Sequence, residues 1–170
     1  KVEKSYWESS VVRDDGWRPY MREGLAQAVD TRLVAFTFHR GFRPFIEEVI
    51  PAIKNRYAQM LAAHPQSSHD LAKVYRAGKH PVLMAVGPEG GWNEYELEQM
   101  RTHGFDQFSL GPRILRVETA VTAVHASITM LPGLSVDVCD SYRQGRGNMN
   151  GKILALFPVI KTAEDRRLNQ

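Results

Sequence analysis

The chain has 170 residues, which is enough for one domain with a hydrophobic core. Its 43% hydrophobic and 24% charged residues are typical of a globular protein and exclude a largely disordered chain. A formal charge of +3 permits a polyanionic partner without requiring one, and no apolar run approaches the roughly 20 residues of a membrane helix, which predicts a soluble protein with no membrane partner.

The first half of the chain predicts helices and short strands in alternation. Apolar spacing predicts a helix over residues 17–28, and the β-forming run "LVAFTF" predicts a strand over 33–38. Helical spacing returns over 42–53, with a break or kink at Pro51. The segment "YAQMLAAH", residues 57–64, is either the end of that helix or a strand. The turn-forming "HPQSSHD" that follows favours the strand.

The middle of the chain contains a buried strand followed by a capped helix. Val82–Val86 is a continuous apolar run of strand length, as in central strands of parallel sheets. Asn93 and Glu96 have the spacing of a capping box, which predicts that a helix begins there. Gly104 lies where a glycine commonly ends a helix.

The last predicted elements are a strand over residues 105–110 and a helix over 118–131, which Pro132 ends. Strands that alternate with helices predict an α/β domain with a mostly parallel sheet and flanking helices. Residues 133–170 stay unassigned, because "KILALFPVI" is either a lone strand or an interaction segment and nothing in this tail indicates chemistry.

The loop "GPEGG", residues 87–91, follows a buried strand, where glycine-rich turns often hold a phosphate. It lacks the Lys-Ser/Thr pair of a phosphate cradle and the G-x-G-x-x-G of a dinucleotide site. Glu89 would also repel a phosphate. The loop therefore predicts a ligand that is neutral or cationic at the contact, held by backbone groups that the glycines leave accessible.

A second loop, "LGPRILRVETA" at residues 110–120, follows its own strand in the same way. We expect the two loops to lie side by side after neighbouring strands, at the edge where open parallel sheets bind ligands. Gly111 leaves the backbone accessible, and Arg113 and Arg116 offer cations for a phosphate or a developing anion. Three side chains offer apolar walls suited to an adenine ring: Leu110, Ile114 and Leu115.

In this order and spacing, "GPEGGWNEYELEQM" and "SLGPRILRVETAVTA" resemble the two signature loops of the RsmE family. Its members are ribosomal RNA uridine-N3 methyltransferases of the trefoil-knotted SPOUT class. The segments "VEKSYW", "GLAQAVD" and "FRPFIEEVIP" resemble one branch of that family. The resemblance identifies residues 1–132 as a SPOUT-like methyltransferase domain. It implies a C-terminal trefoil knot, S-adenosylmethionine as cofactor, and the RNA of the small ribosomal subunit as partner.

The resemblance also implies residue roles. The cofactor-binding positions are Val86, Gly87, Glu89, Gly90, Leu110, Gly111, Ile114, Leu115, Thr119 and Ala120. The turn at His64 and Pro65 is similar to a third contacting loop. Arg113 or Arg116 is expected to stabilise the uridine anion, while Glu89 and Glu118 are alternative proton acceptors or sulfonium partners. The six histidines and the single Cys139 show no zinc-like spacing, so no metal is expected.

Simpler interpretations accompany several of these residues. Glu118 opens a helix, where a carboxylate complements the helix dipole without any catalytic role. Trp92 is either a lid over the ligand or a staple at the helix entry, and the staple is favoured. His125 is expected on the packing face of its helix. Part of the apolar stripe of this last helix is expected to form a homodimer interface, as in related knotted enzymes.

The sequence departs from a complete family member, because it lacks the RNA-binding barrel and the first strand and helix of the knotted domain. It begins at Lys1 without a methionine, so we expect either a fragment or a reduced member. Two other functions stay open: a non-catalytic knotted RNA-binding or ribosome-assembly protein, and an RNA ribose 2'-O methyltransferase. The cytoplasm is the expected location, with an organelle matrix as the alternative.

Overall fold

Four parallel strands form one sheet in the order β3-β1-β2-β4. The strands are β1 (Gln59–Ala63), β2 (Val82–Val86), β3 (Phe105–Phe108) and β4 (Ile153–Leu156). The computed structural model describes residues 15–29, 31, 36–39, 41–77, 81–131 and 153–156. The predicted α/β class with a parallel sheet is confirmed.

The two middle strands are the most apolar and the most buried. All five residues of β2 are buried, as are the first four of β1, because helices cover both faces of the sheet. The strand interpretation of residues 57–64 is thereby confirmed. β4 pairs with β2, so the strand within "KILALFPVI" belongs to the sheet and is not a lone strand.

Helix α1 (Arg18–Ala28) confirms the first predicted helix, and none of its side chains is buried. The second helical region consists of α2 (Phe42–Pro44), a π-helical segment (Phe45–Val49), α3 (Ile50–Ile53) and a 3₁₀ turn (Lys54–Arg56). The helix is not broken at Pro51, as the sequence allowed, but changes from π-helical to α-helical geometry just before it. Since proline has no N–H for the helical ladder, the helix changes its geometry there and continues.

The helices after β1 are α4 (Leu71–Val74), α5 (Glu94–Thr102) and α6 (Val117–Met130). The capping box of α5 is present, with the Glu96 amide donating to Asn93 Oδ1 at 2.8 Å and the Asn93 amide to Glu96 Oε2 at 2.9 Å. Gly104 follows α5 with a φ of +94°, as predicted for a helix end.

Two sequence predictions need correction. Residues 33–35 of the predicted strand lie outside the described residues, and residues 36–38 have no regular secondary structure. Their aromatic side chains pack against each other, with Phe36 stacked on Trp17 at 5.0 Å between ring centroids. His125 is exposed, because it lies one position beyond the buried Val124 on α6 and points off the packing stripe.

The sheet separates two apolar clusters. On one face, side chains from the helical region before β1 and from α5 pack on alternate residues of β2, including Leu83 and Ala85. On the other face, Val124 and Ile128 of α6 pack with the remaining β2 residues. No helix in the described part of the chain is long and apolar enough to cross a membrane.

Candidate functional site

The carboxyl ends of β1, β2 and β3 lie at one level of the sheet. Ala63, the last residue of β1, is in register with Val86 at the end of β2 and with Phe108 at the end of β3. The loops that follow these three strands therefore emerge along the same edge. In open parallel sheets, this is the edge that binds ligands.

The expectation that the two glycine-rich loops follow neighbouring strands is wrong. β1 lies between β2 and β3, so the loop that begins at His64 lies between the loops after β2 and β3. The physical reason is that β2 and β3 each pair in parallel with β1, on its two opposite sides, and do not pair with each other. The edge therefore presents three loops, with the turn at His64 and Pro65 in the middle.

Trp92 joins the loop after β2 to the end of β1. Its indole N–H donates to the Ala63 carbonyl oxygen at 3.1 Å. A Cβ on Gly87 would lie only 3.2 Å from Trp92 Nε1, so the missing side chain of Gly87 is what admits the indole. Trp92 and Leu97 also pack on the same core cluster, on either side of the helix cap, as in a hydrophobic staple.

Ser109 joins the loop after β3 to the middle loop. Its hydroxyl accepts a hydrogen bond from the Gly111 amide at 3.1 Å and lies within donating distance of the Pro65 carbonyl at 3.2 Å and the Gly111 carbonyl at 3.0 Å. The His64 amide donates to the Phe108 carbonyl at 2.8 Å. These bonds hold the turn around Gly111, whose φ of +116° strains any residue with a side chain.

His64 carries a buried polar atom at the centre of this edge. Its Nδ1 is shielded from solvent and has no hydrogen-bond partner within the described residues. Burial lowers the pKa of His64 below its usual 6.5, because it disfavours the charged form. His64 is therefore neutral at pH 7, and it does not repel a cationic ligand at the carboxyl edge.

The predicted site residues divide by exposure. Val86 is buried, with its side chain in the core. Half-buried positions are Gly87, Leu110, Gly111, Leu115 and Ala120. Exposed positions are Glu89, Gly90, Arg113, Ile114, Arg116, Glu118 and Thr119. Arg116 immediately precedes α6 and Glu118 lies in its first turn, so both flank the positive end of that helix dipole.

This arrangement fits a bound S-adenosylmethionine in two respects. The neutral His64 adds no positive charge to this edge, and the exposed carboxylates of Glu89 and Glu118 are compatible with a cationic sulfonium. The Cβ position of Gly111 faces open space, with no atom within 4 Å among those of the described residues. Ligand atoms can approach the backbone there.

Sequence reasoning missed the role of Ser109 and the bond by which Trp92 connects two loops. Ser109 comes directly before "LGP" and is buried, so a small hydroxyl at the end of a strand was the available signal. No short sequence pattern predicts the hydrogen bond from Trp92 to Ala63, because the two residues are far apart in sequence. The residues described contain no group of three or more His, Cys, Asp or Glu side chains that could hold a metal ion.

A separate surface depression of about 540 Å³ lies at the opposite edge of the sheet, where β1 and β3 begin. It is lined by Lys54, Tyr57, Gln59, Arg76, His103 and Asp106, among others. The Arg76 guanidinium and the Asp106 carboxylate form an ion pair across it at 3.3 Å. None of the predicted site residues lines this depression.

Comparison with protein families gives two matches. The family described as "RNA methyltransferase domain" matches residues 1–129. A family of unknown function matches residues 94–170.

Among curated proteins, the chain is similar to two named "Ribosomal RNA small subunit methyltransferase E". The one from Treponema pallidum is 29% identical over 127 residues, a match that covers 74% of this chain and 47% of that protein. The one from Synechocystis is 28% identical over 137 residues, a match that covers 76% of this chain and 43% of that protein. The chain thus spans about half the length of these relatives.

Among solved structures, the chain resembles a ribosomal RNA small subunit methyltransferase E from Neisseria gonorrhoeae bound to S-adenosyl methionine. The TM-score is 0.63 at 26% identity, over 75% of this chain and 51% of the other. A Legionella pneumophila protein in complex with the same cofactor has a TM-score of 0.59 at 24% identity, over 76% of this chain and 49% of the other. This likeness shows a shared fold.

Proposed function

Since the chain belongs to the RNA methyltransferase domain family, we propose that it is an S-adenosylmethionine-dependent methyltransferase that modifies ribosomal RNA. The proposed acceptor is N3 of a uridine in the RNA of the small ribosomal subunit. The observation that carries this proposal is the convergence of three connected loops at the carboxyl edge of the sheet. Support comes from the resemblance of the RsmE signature loops and from the names of the curated relatives.

The proposed cofactor site lies on these three loops. Backbone groups around Gly87 and Gly111 would contact the cofactor, Leu110 and Leu115 would supply apolar surface, and Ala120 would close the site from α6. Val86, Glu89, Gly90, Ile114 and Thr119 complete the proposed set. When bound, S-adenosylmethionine supplies an electrophilic methyl group on a cationic sulfonium.

The remaining chemistry belongs to the protein's own side chains. Methylation at N3 of uridine requires loss of the imide proton, so negative charge develops on the base. Arg113 or Arg116 would stabilise that charge, since both are exposed in the segment between β3 and α6 and neither forms an ion pair with another described residue. Glu89 or Glu118 would accept the proton, directly or through water.

Two measurements test the proposal. Calorimetry with S-adenosylmethionine should give a binding isotherm, and no heat from the folded protein would refute the enzyme. Nucleoside mass spectrometry should show that ribosomal RNA from a deletion strain lacks 3-methyluridine. Incubation of that RNA with the protein should restore it. A change in a ribose 2'-O-methyl nucleoside instead would assign the ribose as acceptor.

A non-catalytic RNA-binding or ribosome-assembly protein is the second candidate. The same calorimetry separates the two functions, because a non-catalytic module has no need of the cofactor.

We propose three further properties from the same family resemblance. The chain contains a trefoil knot, which the backbone trace of an experimental structure would test. It forms a homodimer through α6, where Met130 is 85% exposed and therefore available for contact; sedimentation as a monomer at micromolar concentration would contradict this. It acts in the cytoplasm, which fractionation of cells would test.

A further inference from the structure

Exposed aromatic side chains occur in the part of the chain that precedes the candidate site. Among the described residues, seven large hydrophobic side chains are exposed, and four of them are aromatic: Tyr20, Phe36, Phe38 and Tyr95. Scattered exposed apolar residues are ordinary, whereas grouped aromatic rings indicate a binding surface. Two of these four rings, Phe36 and Phe38, form a packed group with Trp17, and Tyr20 follows Trp17 by three residues in the chain.

The group is held together by ring contacts. Phe36 stacks on Trp17 with an interplanar angle of 23°, and Phe38 lies 6.2 Å from Phe36 between ring centroids. Tyr20 follows Trp17 by three residues at the start of α1, which places both on one side of the helix. We refer to Trp17, Tyr20, Phe36 and Phe38 as the aromatic surface. None of the four is part of either core cluster.

A permanent cation accompanies the rings. The Arg18 guanidinium lies 5.1 Å from the centroid of the Trp17 ring, and its Nε donates to Asp15 Oδ2 at 2.9 Å. No other described residue bonds its terminal nitrogens, which remain available as donors. Arg22 is exposed one turn further along α1. Rings with interspersed arginines suit a ligand that combines flat aromatic groups with negative charge.

The segment that carries Phe36 and Phe38 leads along the chain towards the candidate site. His39, next to Phe38, packs its ring 5.0 Å from that of the buried Phe45, which anchors the segment to the core. Phe42 then lies 6.3 Å from the Trp92 ring. Four residues of chain span at most about 14 Å, so Phe38 lies within about that distance of Phe42.

We infer that the aromatic surface binds an unpaired segment of the substrate RNA, with bases stacked on the exposed rings of Tyr20 and Phe38. This inference rests on the proposed function. N3 of uridine lies on the edge of the base that forms Watson–Crick pairs, so an enzyme that methylates it must hold the nucleotide unpaired. Unpaired bases stack on aromatic side chains and on arginine planes, while paired bases cannot.

The test compares RNA affinity in ring-removing and ring-preserving variants of the full chain. The probe is a labelled, uridine-containing oligoribonucleotide, single-stranded or annealed to its complement, measured by fluorescence anisotropy at fixed salt. The Tyr20→Ala/Phe38→Ala variant should bind the single strand at least about fivefold more weakly, the effect of losing one stacked base. The Tyr20→Phe/Phe38→Tyr variant should retain wild-type affinity, because it keeps both rings.

Val29→Ala is the matched control, because Val29 is an apolar side chain that is 93% exposed at the end of the same helix. The inference is overturned if the double alanine variant binds the single strand as tightly as the wild-type protein, or if Val29→Ala loses as much affinity as the double alanine variant. It is also overturned if the wild-type protein binds the duplex as tightly as the single strand, or does not bind the single strand. In the last case the surface belongs to a different partner, such as a protein.

Calorimetry with S-adenosylmethionine separates this inference from the proposed function. All four proteins should bind the cofactor equally, since none of the substitutions touches the three loops. If the double alanine variant binds both the cofactor and the RNA like the wild-type protein, the RNA-binding role of the aromatic surface is refuted and the proposed function is not. Absence of cofactor binding in the wild-type protein refutes the proposed function, and the oligonucleotide comparison still decides whether the rings bind RNA.

Discussion

Gly87→Ala tests whether the indole of Trp92 is the reason for glycine at the end of β2. An added Cβ would lie 3.2 Å from Trp92 Nε1 and 3.3 Å from Cε2, closer than ordinary contacts between such atoms. The indole would have to move by a few tenths of an ångström. That movement would stretch its 3.1 Å hydrogen bond to the Ala63 carbonyl and disturb its packing on the core.

The expected cost follows from these contacts. A weakened hydrogen bond accounts for about 0.5–1.5 kcal/mol and a small excess of volume for about 1–3 kcal/mol. The lower entropy of alanine in the unfolded chain offsets about 0.4–1 kcal/mol. We therefore expect the free energy of unfolding to fall by about 1–3 kcal/mol, measured from urea titrations at matched m-values.

Two comparisons make this prediction specific. Gly24→Ala, inside α1 with no atom of the described chain within 4 Å of the new Cβ, should stabilise the protein by up to about 1 kcal/mol. In a Trp92→Phe background, which lacks the nearest contacting atom, Gly87→Ala should cost clearly less. Equal costs in both backgrounds, or a gain like that of Gly24→Ala, would refute the assigned contact.

Three further outcomes are expected. Gly111→Val should abolish calorimetric binding of S-adenosylmethionine, because the new side chain enters the open space at the site and the φ of +116° strains the loop; urea unfolding checks that the protein stays folded, and unchanged affinity would remove Gly111 from the pocket. Arg116→Ala should keep cofactor affinity and lose methyl transfer, whereas Arg101→Ala, an exposed arginine paired with Glu98, should leave both unchanged; wild-type turnover in Arg116→Ala would exclude its role. The pKa of His64 is lowered in the folded state, so the unfolded chain binds more protons and stability should fall as the pH drops below about 6.5. His64→Asn should make the unfolding free energy less dependent on pH between 8 and 5, and an unaltered profile would contradict the burial argument.

Much of the candidate site could be predicted because its signals are local. The capping box at Asn93 and Glu96 and the apolar run of β2 depend on residues a few positions apart, so composition and spacing define them. The two glycine-rich loops were likewise evident as breaks after strands. His125 shows the limit of this reasoning, because one step of 100° around α6 separates an exposed side chain from a buried one.

By itself the sequence determined the alternation of strands and helices, the ends of α5, and the loops that carry the candidate residues. Only the tertiary structure decided that β1 lies between β2 and β3, that β4 joins the sheet, and that Trp92 occupies the space beside Gly87. The physical reason is the range of the interactions. Helix caps and apolar periodicity act within a few residues, whereas strand order and the bonds of Trp92 and Ser109 depend on segments that meet only when the whole sheet has packed.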